Sequence, residues 1–105
     1  MIFIETPIFT KLIKNILPDD EYRKLQEALI IRPEAGSLIR SGGGLRKIRW
    51  RIPGRGKRGG IRIVYYWDVS VDRIYMLIVY KKSDKENLTH GQLKTLRQLV
   101  EEWLE

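Results

Sequence analysis

The sequence predicts an α+β domain: a small, mainly antiparallel sheet preceded by two helices and followed by one. Three observations carry this prediction. Apolar residues recur at helical spacing in two stretches of the first third and again near the end of the chain. From Leu45 to Ile52 the pattern switches to strict alternation, and Ile61 to Asp68 is β-branched and aromatic. The run Arg73 to Lys81 is apolar on both faces, as a central strand covered on both sides must be. A chain of 105 residues fills one core, so residues 1–105 are expected to form a single domain.

Met1 to Glu5 is a short β-prone run that Thr6-Pro7 ends. Thr6 suits an N-cap and Pro7 the first helical position, where its missing N–H costs nothing. Ile8, Phe9, Leu12, Ile13 and Ile16 then form one apolar face, up to the break at Leu17-Pro18. Asp19-Asp20-Glu21 opens the next helix, with negative charge where the helix dipole favours it. Consecutive acids at a helix start point in different directions, so a capping role is expected there and not a metal site. Tyr22, Leu25, Gln26 and Leu29 continue one face until Arg32-Pro33 stops the helix, giving two antiparallel helices joined by a tight turn.

Gly36 to Gly44 reads as a loop, with Gly42-Gly43-Gly44 free to adopt conformations that other residues avoid. No GK[ST] follows and no helix starts at Leu45, so a flexible connection is expected and not a phosphate cradle. In the next strand Lys47, Arg49 and Arg51 alternate with Ile48, Trp50 and Ile52. Burial favours joining the latter three with Ile61, Ile63, Tyr65 and Trp67, which leaves Lys47, Arg49 and Arg51 on one face with Arg62 and Tyr66. The connection Pro53 to Gly60 is too long for a tight turn and reads as a mobile basic finger. Val69 to Asp72 turns into the central strand. Ser83-Asp84-Lys85-Glu86 and Thr89-His90-Gly91-Gln92 both resemble capping boxes, the second opening a helix with Leu93, Leu96, Val100 and Trp103 on one face. His90 falls in its first turn and reads as a surface residue.

Charge is distributed unevenly. Between Ala35 and Trp67 there is no acid, yet the window holds Arg40, Arg46, Lys47, Arg49, Arg51, Arg55, Lys57, Arg58 and Arg62. The rest of the chain is slightly acidic, so the net charge of +7 comes from this one segment. Concentration of that kind marks a surface for a polyanion. Other classes are disfavoured. Without cysteine there is no disulfide scaffold, thiolate nucleophile or Cys-ligated zinc, and one histidine makes no metal cluster. No cofactor is expected. MIFIETPIF lacks a basic start and is broken by Glu5 and Pro7, unlike a signal peptide, and no apolar run approaches the roughly 20 residues of a membrane span. The expected compartment is the cytoplasm, with no membrane partner.

The residues Leu45-Arg46-Lys47-Ile48-Arg49, Gly60-Ile61-Arg62-Ile63-Val64-Tyr65-Tyr66 and Val79-Tyr80-Lys81-Lys82, set in this order of elements, resemble the RelE/HigB toxins of bacterial toxin–antitoxin pairs, the HigB branch especially. The likeness spans essentially the whole chain. It implies the RelE-like fold and a protein that enters the ribosomal A site and cuts mRNA there. It also implies a helix-turn-helix antitoxin of the HigA type, encoded nearby. By the family pattern the paired cations of one strand fall on Lys47 and Arg49, the arginine of the next on Arg62, and the basic residue after the last strand on Lys82. Some relatives carry a tyrosine as proton acceptor early in the C-terminal segment. Here Leu88 occupies that place, and the nearest tyrosines are Tyr66 and Tyr80.

Metal-free RNA cleavage uses the substrate's own 2′-OH, so the protein must stabilise phosphoryl charge and move protons. Guanidinium forks suit that charge, which makes Arg62 and Arg49 the expected clamps. Lys47 or Lys82 is expected to move a proton or neutralise the leaving oxygen, and Tyr80 completes the expected catalytic set. Arg46, Arg51, Arg55, Lys57 and Arg58, with Tyr66, form the expected RNA-binding set. A non-catalytic RNA- or DNA-binding module would need the same cations, as would a relative that has lost its activity.

Overall fold

The computed structural model describes residues 1–53, 60–84 and 87–104. Strand β1 (Ile2–Glu5) leads into helices α1 (Pro7–Ile16) and α2 (Asp19–Ile31). Strands β2 (Ser37–Leu38), β3 (Arg46–Arg51), β4 (Gly60–Asp68) and β5 (Arg73–Lys81) follow, and helix α3 (His90–Leu104) comes last. One five-stranded sheet runs in the order β1-β5-β4-β3-β2, with β1 parallel to β5 and every other pair antiparallel. The apolar strand β5 is thus an interior strand, flanked by β1 and β4 and covered on both faces, as its lack of a polar face requires, while β4 takes the middle place.

Helices cover both faces of the sheet. On one side Phe9, Ile13 and Leu17 from the α1 segment join Leu25 and Leu29 of α2 over Ile61, Ile63, Tyr65, Ile74, Met76 and Val79. On the other, Leu96 and Val100 of α3 cover Leu45, Val64, Tyr75, Leu77 and Tyr80. Each fully buried aliphatic or aromatic side chain contributes roughly 1.5–3 kcal/mol relative to exposure, so these two layers fix the sheet's position. The expected register holds, with Ile48 opposite Ile63 and Trp50 opposite Ile61.

Local signals explain the helix ends. Thr6 caps α1 by accepting from the Phe9 N–H at 3.0 Å, with Pro7 in the first turn. Thr89 and Gln92 form the reciprocal capping box at the start of α3, at 2.9 and 3.1 Å. Its first-turn residue His90 is exposed, as expected. The other expected box falls partly on Lys85 and Glu86, outside the described residues. Asp19, Asp20 and Glu21 lie in the first turn of α2 but supply no side-chain cap: the capping position is Pro18, and Glu21 instead pairs with Lys24 at 3.1 Å.

Two features depart from expectation. The segment after α2 contains β2, which pairs Ser37 with Lys47 and Leu38 with Arg46. Two exposed residues with no alternation become a strand only because β3 offers them an edge. The turn that follows uses Gly43 and Gly44 at φ +62° and +98°, a left-handed region costly for residues with a Cβ. The second departure lies in β5. Its pairing with β4 slips from Val64–Ile78 to Tyr65–Met76, leaving Leu77 as an extra residue. Before this bulge Ile74 and Met76 face α1 and α2, and after it Val79 does. Tyr80 therefore turns to the opposite face, where an unbroken alternation would not have put it. Thr6 pins the bulge, its N–H bonding the Met76 carbonyl at 3.0 Å and its hydroxyl donating to the Leu77 carbonyl at 2.8 Å.

Candidate active site

The sheet face under α3 is divided in two. Its apolar half, from Leu45 and Val64 to Tyr75 and Leu77, is covered by the helix. The other half carries cations in cross-strand rows. Arg49 of β3 stands opposite Arg62 of β4, and Arg62 stands opposite Tyr80 of β5. One row further along, Arg51 stands opposite Gly60, whose carbonyl accepts the Lys82 N–H at 3.1 Å. One row back, Lys47 stands opposite Val64. Alternation along β3 spaces Lys47, Arg49 and Arg51 by roughly 6.6–6.8 Å on one face.

Like charges directly opposite each other destabilise a sheet. Here a guanidinium faces a guanidinium, and among the described residues none of Lys47, Arg49, Arg51, Arg62 and Lys82 pairs with a carboxylate. Arg62 is only 8% exposed, and its Nη1 donates to the neighbouring Ile61 carbonyl at 3.3 Å. A cation that deeply placed is costly without an anion. Lys47 Nζ donates to Asn87 Oδ1 at 3.1 Å, which draws the ammonium toward the start of the C-terminal segment. Two adjoining hollows open over this surface. One of about 260 Å³ is lined by Lys47, Arg49, Arg62, Lys82 and Asn87. The other, of about 380 Å³, is lined by Arg49, Trp50, Arg51, Gly60, Arg62 and Lys82.

Burial pushes the Tyr80 phenol above its ordinary pKa, and the Arg62 charge offsets this only in part. The phenol therefore stays protonated at neutral pH, which suits a hydrogen-bond donor and not a proton acceptor. Among the described residues no group of three or more His, Cys, Asp or Glu is placed to hold a metal ion.

The remaining expected residues divide. Tyr66 shares the cation face but sits at its covered end, packed against Tyr75 with ring centroids 6.4 Å apart. The tyrosine beside the arginines is Tyr80. Arg46 is set apart from the cluster: alternation sends it to the opposite face, where its Nη1 donates to the Glu34 and Gly36 carbonyls at 3.1 and 2.8 Å. There it joins Tyr65, whose hydroxyl donates to the Pro33 carbonyl and accepts the Gly36 N–H, in holding residues 33–36 against the sheet. Arg55, Lys57 and Arg58, with the expected basic finger, lie outside the described residues. Leu88 is partly buried against the α3 core. Sequence reading overlooked Asn87 and Gly60; the alternation that placed Arg62 also put Gly60 in the same column, but Asn87 left no comparable signal.

Comparison with known proteins bears on the family and the fold. Residues 5–105 match the family described as RelE toxin of the RelE/RelB toxin–antitoxin system. The fold is similar to a solved structure of a mutant E. coli toxin RelE in the free state, with a TM-score of 0.59 and 18% sequence identity over 94% of this chain and 95% of that one. No helix among the described residues is long and apolar enough to cross a membrane. A family match over nearly the whole length, on this sheet and these helices, makes the chain a member of the RelE toxin family, the mRNA-cleaving toxins of toxin–antitoxin pairs.

Proposed function

We propose that this toxin is a ribosome-dependent endoribonuclease that cuts mRNA in the ribosomal A site and needs no metal of its own. The observation that supports it best is the row Arg49–Arg62–Tyr80, two opposed guanidiniums and a phenol that no acid neutralises among the described residues. Such a row is unfavourable when empty and complementary to a phosphoryl group gaining negative charge. The RNA 2′-OH attacks the adjacent phosphorus, the bond to the 5′-oxygen breaks, and the products are a 2′,3′-cyclic phosphate and a 5′-OH. Arg62 and Arg49 clamp the phosphoryl oxygens. Lys47, drawn by Asn87, and Lys82 on the other side move the proton of the 2′-OH or neutralise the leaving oxygen. Tyr80 donates a hydrogen bond at the same phosphate.

Arg51, Arg55, Lys57 and Arg58 grip RNA phosphates around the scissile bond, which predicts strong salt dependence. The antitoxin is of the HigA type, as the HigB-like sequence of β3 and β4 suggests, and acts by covering the cation face or keeping the toxin off the ribosome. The toxin works where ribosomes are, in the cytoplasm.

The test is the chemistry of the cut ends. Upstream fragments from programmed ribosomes are expected to end in a 2′,3′-cyclic phosphate and downstream ones in a 5′-OH. Ends bearing 3′-OH and 5′-phosphate would mean that water and not the 2′-OH is the nucleophile. The role of Tyr80 is tested by pH. Because its pKa is raised, a donor Tyr80 does not titrate from about pH 6 to 9. Tyr80→Phe is expected to lower the rate while leaving the shape of the pH–rate profile unchanged there. Loss of a limb of the profile would assign it proton abstraction instead.

A further inference from the structure

The two hollows over the cation face share Arg49, Arg62 and Lys82, but only one of them includes Arg51 and Gly60. Gly60 lines that second hollow without bringing a side chain into it. Gly60 sits in the same column as Arg62 and Val64, between Arg51 on one neighbouring strand and Lys82 beyond the other. A Cβ built there has Arg62 Nη1 as its nearest neighbour among the described residues, at 3.5 Å, so the backbone at this position leaves room beside a guanidinium. We propose that this is a second phosphate subsite, which takes the phosphodiester one nucleotide away from the bond being cut. The proposal rests on the endonuclease reading for the identity of its ligand.

Three observations support it. Among the described residues the hollow's polar lining is Arg49, Arg51, Arg62 and Lys82, which supply donors and positive charge and no carboxylate. At about 380 Å³, near the lower end of ordinary ligand pockets, it has room for a phosphate group together with its sugar. Arg49 and Arg51 also stand two residues apart on β3, roughly 6.6–6.8 Å along the strand, which is close to the step between consecutive phosphates in an extended RNA. Arg49 can then bridge the two phosphates, with Lys47 and Asn87 serving only the first and Arg51 and Gly60 only the second. Seating two neighbouring phosphates fixes the backbone of the intervening nucleotide and hence the line of attack of its 2′-OH, a positioning effect and not a charge effect.

The experiment is calorimetric titration of the whole protein with adenosine 3′,5′-bisphosphate and adenosine 3′-monophosphate at low salt. The bisphosphate is expected to bind roughly tenfold or more tightly, since the second phosphate gains charge-assisted hydrogen bonds of its own. Arg51→Gln, a change at an exposed position, is expected to abolish that ratio. Gly60→Leu is expected to abolish it by filling the hollow. Lys47→Met is expected to weaken both ligands equally and keep the ratio. Equal affinities in the wild type, or a ratio unchanged in both Arg51→Gln and Gly60→Leu, overturn the second subsite. Failure of the endonuclease reading shows elsewhere, as uncut message on ribosomes, and leaves this ratio standing as the property of a two-phosphate site.

Discussion

Arg62→Ala is expected to cut message roughly 10²–10³-fold more slowly than the wild type while melting no earlier. The rate effect follows from removing one preorganised donor from a developing phosphoryl charge, on the scale known for such groups. The stability effect has the opposite sign from most buried substitutions. Arg62 is 8% exposed, directly opposite Arg49, and among the described residues its side chain bonds to the carbonyl of its neighbour. Its removal relieves a like-charge cross-strand contact and a poorly compensated buried cation. Against this stands the packing of its aliphatic stem, which alanine does not replace. The two nearly offset, so thermal denaturation is expected to show an unchanged or slightly raised midpoint. A midpoint several degrees lower, with activity falling in parallel, would mean that Arg62 supports the sheet and not the chemistry.

Phe9→Ala is expected to do the reverse. Phe9 is fully buried between α1 and the sheet and packs against Tyr22 with ring centroids 5.9 Å apart. Truncating such a ring typically costs about 3–5 kcal/mol, a large share of the 5–15 kcal/mol that holds an ordinary domain together. Urea denaturation in the cold measures that loss. The cations lie on the other face of the sheet, so the cleavage rate per folded molecule is expected to match the wild type. A folded Phe9→Ala protein with a large loss of cleavage would show that the helical layer positions the site, against the division of labour between the two faces.

Most of the fold was legible because its parts carry strong local signals. Thr6-Pro7 and Thr89 to Gln92 announced their helices through capping chemistry. The requirement to bury Ile48 and Trp50 with Ile61 and Ile63 set the hairpin register, and that register aligned Lys47, Arg49 and Arg62. What stayed hidden depends on contacts between distant parts of the chain. Strand β2 exists only by pairing with β3. The bulge at Leu77 is silent in IYMLIVY, because a strand apolar on both faces shows no phase to be broken. Its determinant is Thr6, 71 residues away, whose hydroxyl holds the Leu77 carbonyl. For the same reason the register put Tyr66 on the cation face, where it lies, but gave no geometric ground for Tyr80, which the bulge brings there opposite Arg62. Arg46 was expected among the RNA-binding cations, and the alternation of β3 puts it on the other side of the sheet from Lys47, Arg49 and Arg51.

The central claim is tested most directly by toeprinting on translating ribosomes, with purified wild-type protein beside Arg62→Ala. The expected result is new mRNA ends at the A-site codon with the wild type, none on naked mRNA, and none with the mutant within the same time. Translation arrest without new ends, or ends that persist with Arg62→Ala at the wild-type rate, would contradict it and make the cation face a docking surface.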